Sequence, residues 1–137
     1  MEQNKNLNDS KVLAREAARV LIEKKGIDVK MFCVEGHTSV TDYYVNATGR
    51  SGTHVLSLSD DVAETISDGG REPLRIEGRT GNSWLLVDYG DVIVNIFDKQ
   101  SREFYNLDRL MPEETQVSIQ DIIEETNKKF EINIAKD

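Results

Sequence analysis

Between residues 10 and 25 the chain reads SKVLAREAARVLIEKK, with Val12, Leu13, Ala17, Val20 and Leu21 recurring at three- and four-residue intervals. That period predicts an amphipathic helix. Asp9 or Ser10 can accept from its first free N–H groups, Gly26 stops it, and Lys24 and Lys25 suit the negative end of its dipole. The period then shortens. In IDVKMFCVE (27–35), Ile27, Val29, Met31 and Cys33 alternate, which predicts a strand with those four on one face. Turn residues in EGHTS (35–39) separate it from a second strand, DYYVNAT (42–48).

Helical spacing returns in 49–70, where Val55, Leu58, Val62 and Ile66 share a side and Gly69-Gly70 end the run. LRIEG (74–78) predicts a short strand. WLLVDY (84–89) and VIVNIF (92–97) predict a hairpin, with Gly90-Asp91 as a type II′ turn. Their near-continuous apolar character predicts a hairpin at the centre of a sheet, covered on both faces. A short helix is expected within 98–113, ending near Pro112. A tail helix follows, in which Ser118 and Asp121 resemble a capping box and Ile119, Ile122, Ile123 and Phe130 form a thin apolar stripe.

The order α-β-β-α-β-β-β-α plus a tail helix implies an α/β fold: a mixed β-sheet of about five strands flanked by helices. The expected organisation is a flexible N-terminus (1–9), one domain (10–112) and a helical or partly disordered tail (113–137).

Charge narrows the function classes. The chain has 137 residues with 25 acidic and 17 basic side chains, a net charge of −8. Such a balance disfavours direct, dominant nucleic-acid binding and suits a basic protein surface, or simply solubility. With one cysteine, Cys33, there is no disulfide framework and no thiolate zinc site, and its apolar setting predicts a buried, inert thiol. No secretion-signal pattern and no apolar run long enough to cross a bilayer are visible, so the expected location is cytoplasmic, away from membrane.

Candidate chemistry is sparse. His37 and His54 lack metal-ligand spacing, and Ser51 in GRSGT lacks the last glycine of a nucleophile elbow, which leaves it as a helix cap. A magnesium-dependent nucleotidyltransferase is the alternative reading, because GRSG offers a helix start able to receive a phosphate. Against it, LRIEG supplies only Glu77, and Asp60 and Asp61 diverge on a helix. No catalytic residue, metal ligand or cofactor is expected.

TDYYV followed by ATGRS, then the series from Glu77 through Trp84 to GDVIV, and finally REFYNLDRL, together resemble the ribosomal silencing factor family, also called Iojap-like, over roughly residues 10 to 111. The resemblance implies a nucleotidyltransferase-like fold without catalytic carboxylates. It also implies a translation repressor that binds a large-subunit ribosomal protein, L-fourteen. It would thereby block joining of the subunits under nutrient limitation, or assist large-subunit assembly as in mitochondrial relatives, and form a homodimer when free. Trp84 and its neighbour Leu85, with Asp88, Tyr89, Asp91, Arg102, Tyr105 and Leu110, become candidate partner-binding residues. Trp84 could be an interface anchor flanked by carboxylates that meet basic residues, or it could fill the core while the aspartates cap the turn. Two positions depart from the family: Asn95 stands where histidine is usual, and Met111 where tryptophan is usual.

Overall fold

A computed structural model describes residues 6–78 and 80–135, with side chains described as far as residue 131. The expected elements all form: α1 (Ser10–Glu23), β1 (Ile27–Cys33), β2 (Tyr43–Gly49), α2 (Gly52–Asp68), β3 (Arg75–Glu77), β4 (Trp84–Asp88), β5 (Val92–Asp98), α3 (Lys99–Tyr105) and, at the end, α4 (Gln120–Ala135). Two 3-10 turns, Leu107–Leu110 and Glu113–Thr115, follow α3, and a two-residue strand β6 (Gln116–Val117) precedes α4.

The sheet therefore has six strands rather than about five, in the order β3-β4-β5-β2-β1-β6. β2 and β5 are parallel and every other pair is antiparallel. The missed strand, β6, is two residues long and gains its order only from the edge of β1, where Met31 faces Val117.

Helix α1 begins at Asp9, whose carboxylate accepts from the N–H groups of Lys11 and Val12. Helix α2 begins at Ser51, which accepts from the N–H of His54 at 3.1 Å, so Ser51 is the helix cap. Their apolar sides, Leu13, Ala17 and Leu21 with Val55, Leu58, Val62 and Ile66, lie fully buried on one face of the sheet. Met31, Val45, Ala47, Leu85, Val87, Val94 and Ile96 meet them there. Leu7 joins this core, and its carbonyl accepts from Arg71 at 2.8 Å, so packing starts ahead of residue 10.

The regular alternation expected of β1 fails at its start. A bulge between Ile27 and Lys30, with Asp28 at φ 52°, turns Ile27 out to solvent, and Cys33 is only partly buried. The β4–β5 hairpin closes through Gly90 at φ 92°, as its turn type requires. Of its two strands only β5 is central and buried along Val92–Phe97; β4 lies next to the edge strand β3.

The tail is built onto the domain. Ile119 and Ile122 are buried beside α1, while Arg15–Asp121, Arg19–Glu125 and Glu23–Lys129 form ion pairs at 2.5, 2.8 and 3.3 Å. Each pair advances four residues along both helices, which therefore run parallel. Ser118 Oγ accepts from the N–H of Gln120, and Asp121 reaches Arg15 instead of completing a capping box. Phe130 is half exposed, with Lys25 Nζ 3.9 Å from its ring centroid.

Candidate functional site: the face opposite the helices

Because side chains alternate along a strand, burying Val45, Ala47, Val94 and Ile96 under α1 and α2 turns Asn46, Thr48, Asn95 and Phe97 to the other face. Register aligns them: Asn46 pairs with Asn95, Thr48 with Phe97, and Phe97 with Trp84 across the next strand. Helix α3, which starts at Asp98, and the 3-10 turn behind it cover part of this face. The reversal between them uses Asn106 in the left-handed conformation, φ 48°, ψ 52°.

Beneath that cover runs a chain of polar contacts. Trp84 Nε1 donates to Asn95 Oδ1 at 3.0 Å, Asn95 Nδ2 to Asn46 Oδ1 at 3.1 Å, and Asn46 Nδ2 to Asp108 Oδ1 at 2.8 Å. Asp108 Oδ2 then accepts from Arg102 Nη2 at 2.8 Å, and Arg102 also donates to Thr48 Oγ1 and the Asp28 carbonyl. Burial would raise the Asp108 pKa. Hydrogen bonds from Arg102 and Asn46, with the charges of Arg102 and Lys30, outweigh it and hold the carboxyl below its ordinary range.

Above the chain, aromatic rings climb from core to solvent. Buried Phe97 lies 5.1 Å from Trp84, Trp84 4.8 Å from Tyr105, and Tyr105 5.0 Å edge-on to Phe104. Exposure rises along this series, to 48 % at Tyr105 and 80 % at Phe104, and Leu110 on the neighbouring 3-10 turn is 73 % exposed. Trp84 is thus half-buried: its indole N–H is spent inside, and its ring lies tilted at 46° against Tyr105.

The other candidate residues lie elsewhere. Leu85 is fully buried on the helix side, and Tyr89 is buried with its hydroxyl lacking a hydrogen-bond partner among the described residues, so neither offers surface to a partner. Burial pushes the Tyr89 pKa up. Arg102 is buried and holds the covering segment from within. The expected flanking of the indole by carboxylates is not what forms. Asp88 is four residues along β4, about 13 Å away at strand rise. It is held by Arg75 at 3.0 Å and by the Gly90 N–H, while Asp91 pairs with Arg71 at 2.7 Å. Both serve the hairpin turn.

The sequence reading passed over Phe104, Asn46 and Asp108. A signal existed for Phe104: adjacent positions on a helix diverge by about a hundred degrees, so with Arg102 turned inward the Phe104-Tyr105 pair could not both be buried. Among the described residues no group of three or more His, Cys, Asp or Glu side chains converges as a metal site would, and no helix is long and apolar enough to cross a membrane.

An open mixed sheet with α1 and α2 on one face, and α3 over a polar relay and a series of aromatic rings on the other, defines an α/β domain. Residues 7–136 match the family model described as "Ribosomal silencing factor during starvation", and the chain belongs to that family. It is 30% identical to the ribosomal silencing factor RsfS of Bacillus subtilis over 74% of this chain and 86% of that protein. It is 29% identical to the chloroplastic protein Iojap of Zea mays, over 74% of this chain and 44% of that one. Among solved structures, a Chromobacterium violaceum protein superposes with a TM-score of 0.73 at 27% identity, covering 75% of this chain and 86% of that one. A Bacillus halodurans protein does so with a TM-score of 0.70 at 28% identity, covering 80% and 99%. The family match runs past residue 111, where the resemblance read from the sequence ended, and takes in α4.

Proposed function

We propose that this chain is a binding factor without turnover. It docks on the large ribosomal subunit through a basic ribosomal protein, L-fourteen, and by its bulk keeps the small subunit from joining, repressing translation under nutrient limitation. The observation that carries the reading is exposed Tyr105, Phe104 and Leu110 above a half-buried Trp84, on the sheet face that α1 and α2 leave free, in a member of the ribosomal silencing factor family. Rigid aromatic side chains with few rotors bind at low entropic cost and dominate interface energetics.

The net charge of −8 supports a cationic partner through long-range attraction, without needing Asp88 or Asp91 at the contact. An interface of ordinary size, about 1,200 to 2,000 Å² in total, suffices for steric exclusion. The site of action is the cytoplasm.

Sedimentation through a sucrose gradient tests this directly. The protein should travel with free large subunits and be absent from assembled ribosomes. Migration with small subunits alone, or with no particle, would overturn the reading.

A further inference from the structure

We propose that the corner formed by Lys25, Arg50 and Lys99 contacts the phosphate backbone of ribosomal RNA beside the protein-binding face; this rests on the proposed docking to the large subunit. Two open clefts meet there, sharing Ile27 and Arg50. One, of about 570 Å³, lies between the C-terminal end of α1 and the middle of α4; the other, of about 470 Å³, lies against Thr48, Lys99 and Arg102. Both open beyond the carboxyl ends of the parallel strands β2 and β5, where departing loops leave a crevice.

Positive charge is in excess there. Arg102 and Lys129, also in the linings, are committed to Asp108 and Glu23. Among the described residues, Lys25, Arg50 and Lys99 have no carboxylate partner. Arg50 spends one donor on the Lys25 carbonyl at 3.0 Å, and its backbone N–H is fixed by His54 Nδ1 at 2.9 Å. Of the acids in the linings, Glu23 faces Lys129, while Asp28 lies 3.5 Å from an Arg102 that Asp108 already holds, so Asp28 and Glu103 stand against three cations. Three cations without a carboxylate partner among the described residues, on a chain of net charge −8, mark a surface for an anion.

An extended polyanion fits these open clefts better than an enclosed small ligand would. Half-exposed Phe130 beside Lys25 adds a ring on which a base can stack. Proximity links the corner to the aromatic face. Trp84, Phe97 and Thr48 lie in one row across three strands, which sets the cleft about 10 Å from the indole at ordinary strand spacing. One docking event can therefore engage protein and RNA together.

The test compares the wild type with the triple variant Lys25→Gln/Arg50→Gln/Lys99→Gln on purified large subunits over a salt series, and on the isolated large-subunit ribosomal protein. All three side chains are exposed, and near-ultraviolet circular dichroism verifies the variant's fold. The expected result is affinity for large subunits about tenfold or more weaker at low salt, a log–log salt slope shallower by about two, and unchanged affinity for the isolated protein. An unaltered salt slope, or an equal loss on the isolated protein, would overturn the inference by placing the corner outside RNA contact. Failure of the wild type to bind large subunits at all would overturn the docking reading and this inference with it.

Discussion

The indole of Trp84 and the amide of Asn95 face each other across β4 and β5 at 3.0 Å, and this contact joins the aromatic face to the polar relay beneath it. Asn95 accepts from the indole and donates to Asn46, a division of roles that a neutral amide performs at any ordinary pH. Its position is therefore structural support for the surface rather than part of the surface.

Replacing Asn95 with leucine should strand the Trp84 N–H and the Asn46 carbonyl, both removed from bulk water. A loss of about 1–3 kcal/mol in unfolding free energy is expected, measured by urea titration. Asn95→His should instead make stability depend on pH. A neutral ring can accept from the indole, whereas a protonated one cannot, so the folded-state pKa is depressed. The variant should match the parent above about pH 6.5 and lose stability as pH falls below that. A flat difference in melting temperature across that range would contradict the role given to Asn95.

Phe104 and Trp84 should respond differently to alanine. At 80 % exposure Phe104 does little for the fold, so Phe104→Ala should move stability by no more than about 0.5 kcal/mol. Trp84→Ala should cost both stability and affinity, with binding to large subunits weaker by about 2 kcal/mol or more. Affinity assays on the folded variants decide whether the ring series is an interface.

Acid should loosen the cover. The Asp108 pKa is lowered from the carboxylate value of 3.8, so its stabilising effect is full above that pH and is lost as pH falls through the lower folded value. Trp84, the chain's sole tryptophan, packs against Tyr105 and reports the change by fluorescence. Asp108→Ala should abolish this acid step and cost about 1–3 kcal/mol, since it removes the nearer of the two carboxylates on the buried Arg102 and leaves Asn46 Nδ2 without its acceptor.

Gly78 is conformationally required. It sits at φ 93°, and a Cβ there would come within 2.1 Å of the Trp84 carbonyl. Gly78→Ala should therefore disturb the β3–β4 edge and the start of the strand that presents Trp84, lowering both melting temperature and affinity for large subunits.

The docking of α4 should depend on burial more than on charge. Ile122→Ala removes a fully buried side chain and should cost about 2–5 kcal/mol. Raising salt should change the melting temperature far less, because the three ion pairs to α1 are solvent-exposed and screened.

Periodicity carried most of the fold. Val55, Leu58, Val62 and Ile66 had to share one helix face, and all four are buried; Gly90 had to turn a hairpin, and it does. Local rules were sufficient there because the helix repeat and the turn geometry act over a few residues. They were insufficient for β6, whose two residues gain order from β1, and for the bulge that exposes Ile27.

The chain's own order of residues settled its elements, its family motifs and the presence of an indole at the head of a strand. It left open which way Leu85 and Tyr89 would point, and what Asp88, Asp91, Asn46 and Asp108 would touch. Those outcomes depend on strand register and on how α3 folds back over the sheet. Contacts between residues as far apart in sequence as Asn46 and Asp108 form only when the whole sheet is assembled, and nothing in the neighbourhood of either residue encodes the other.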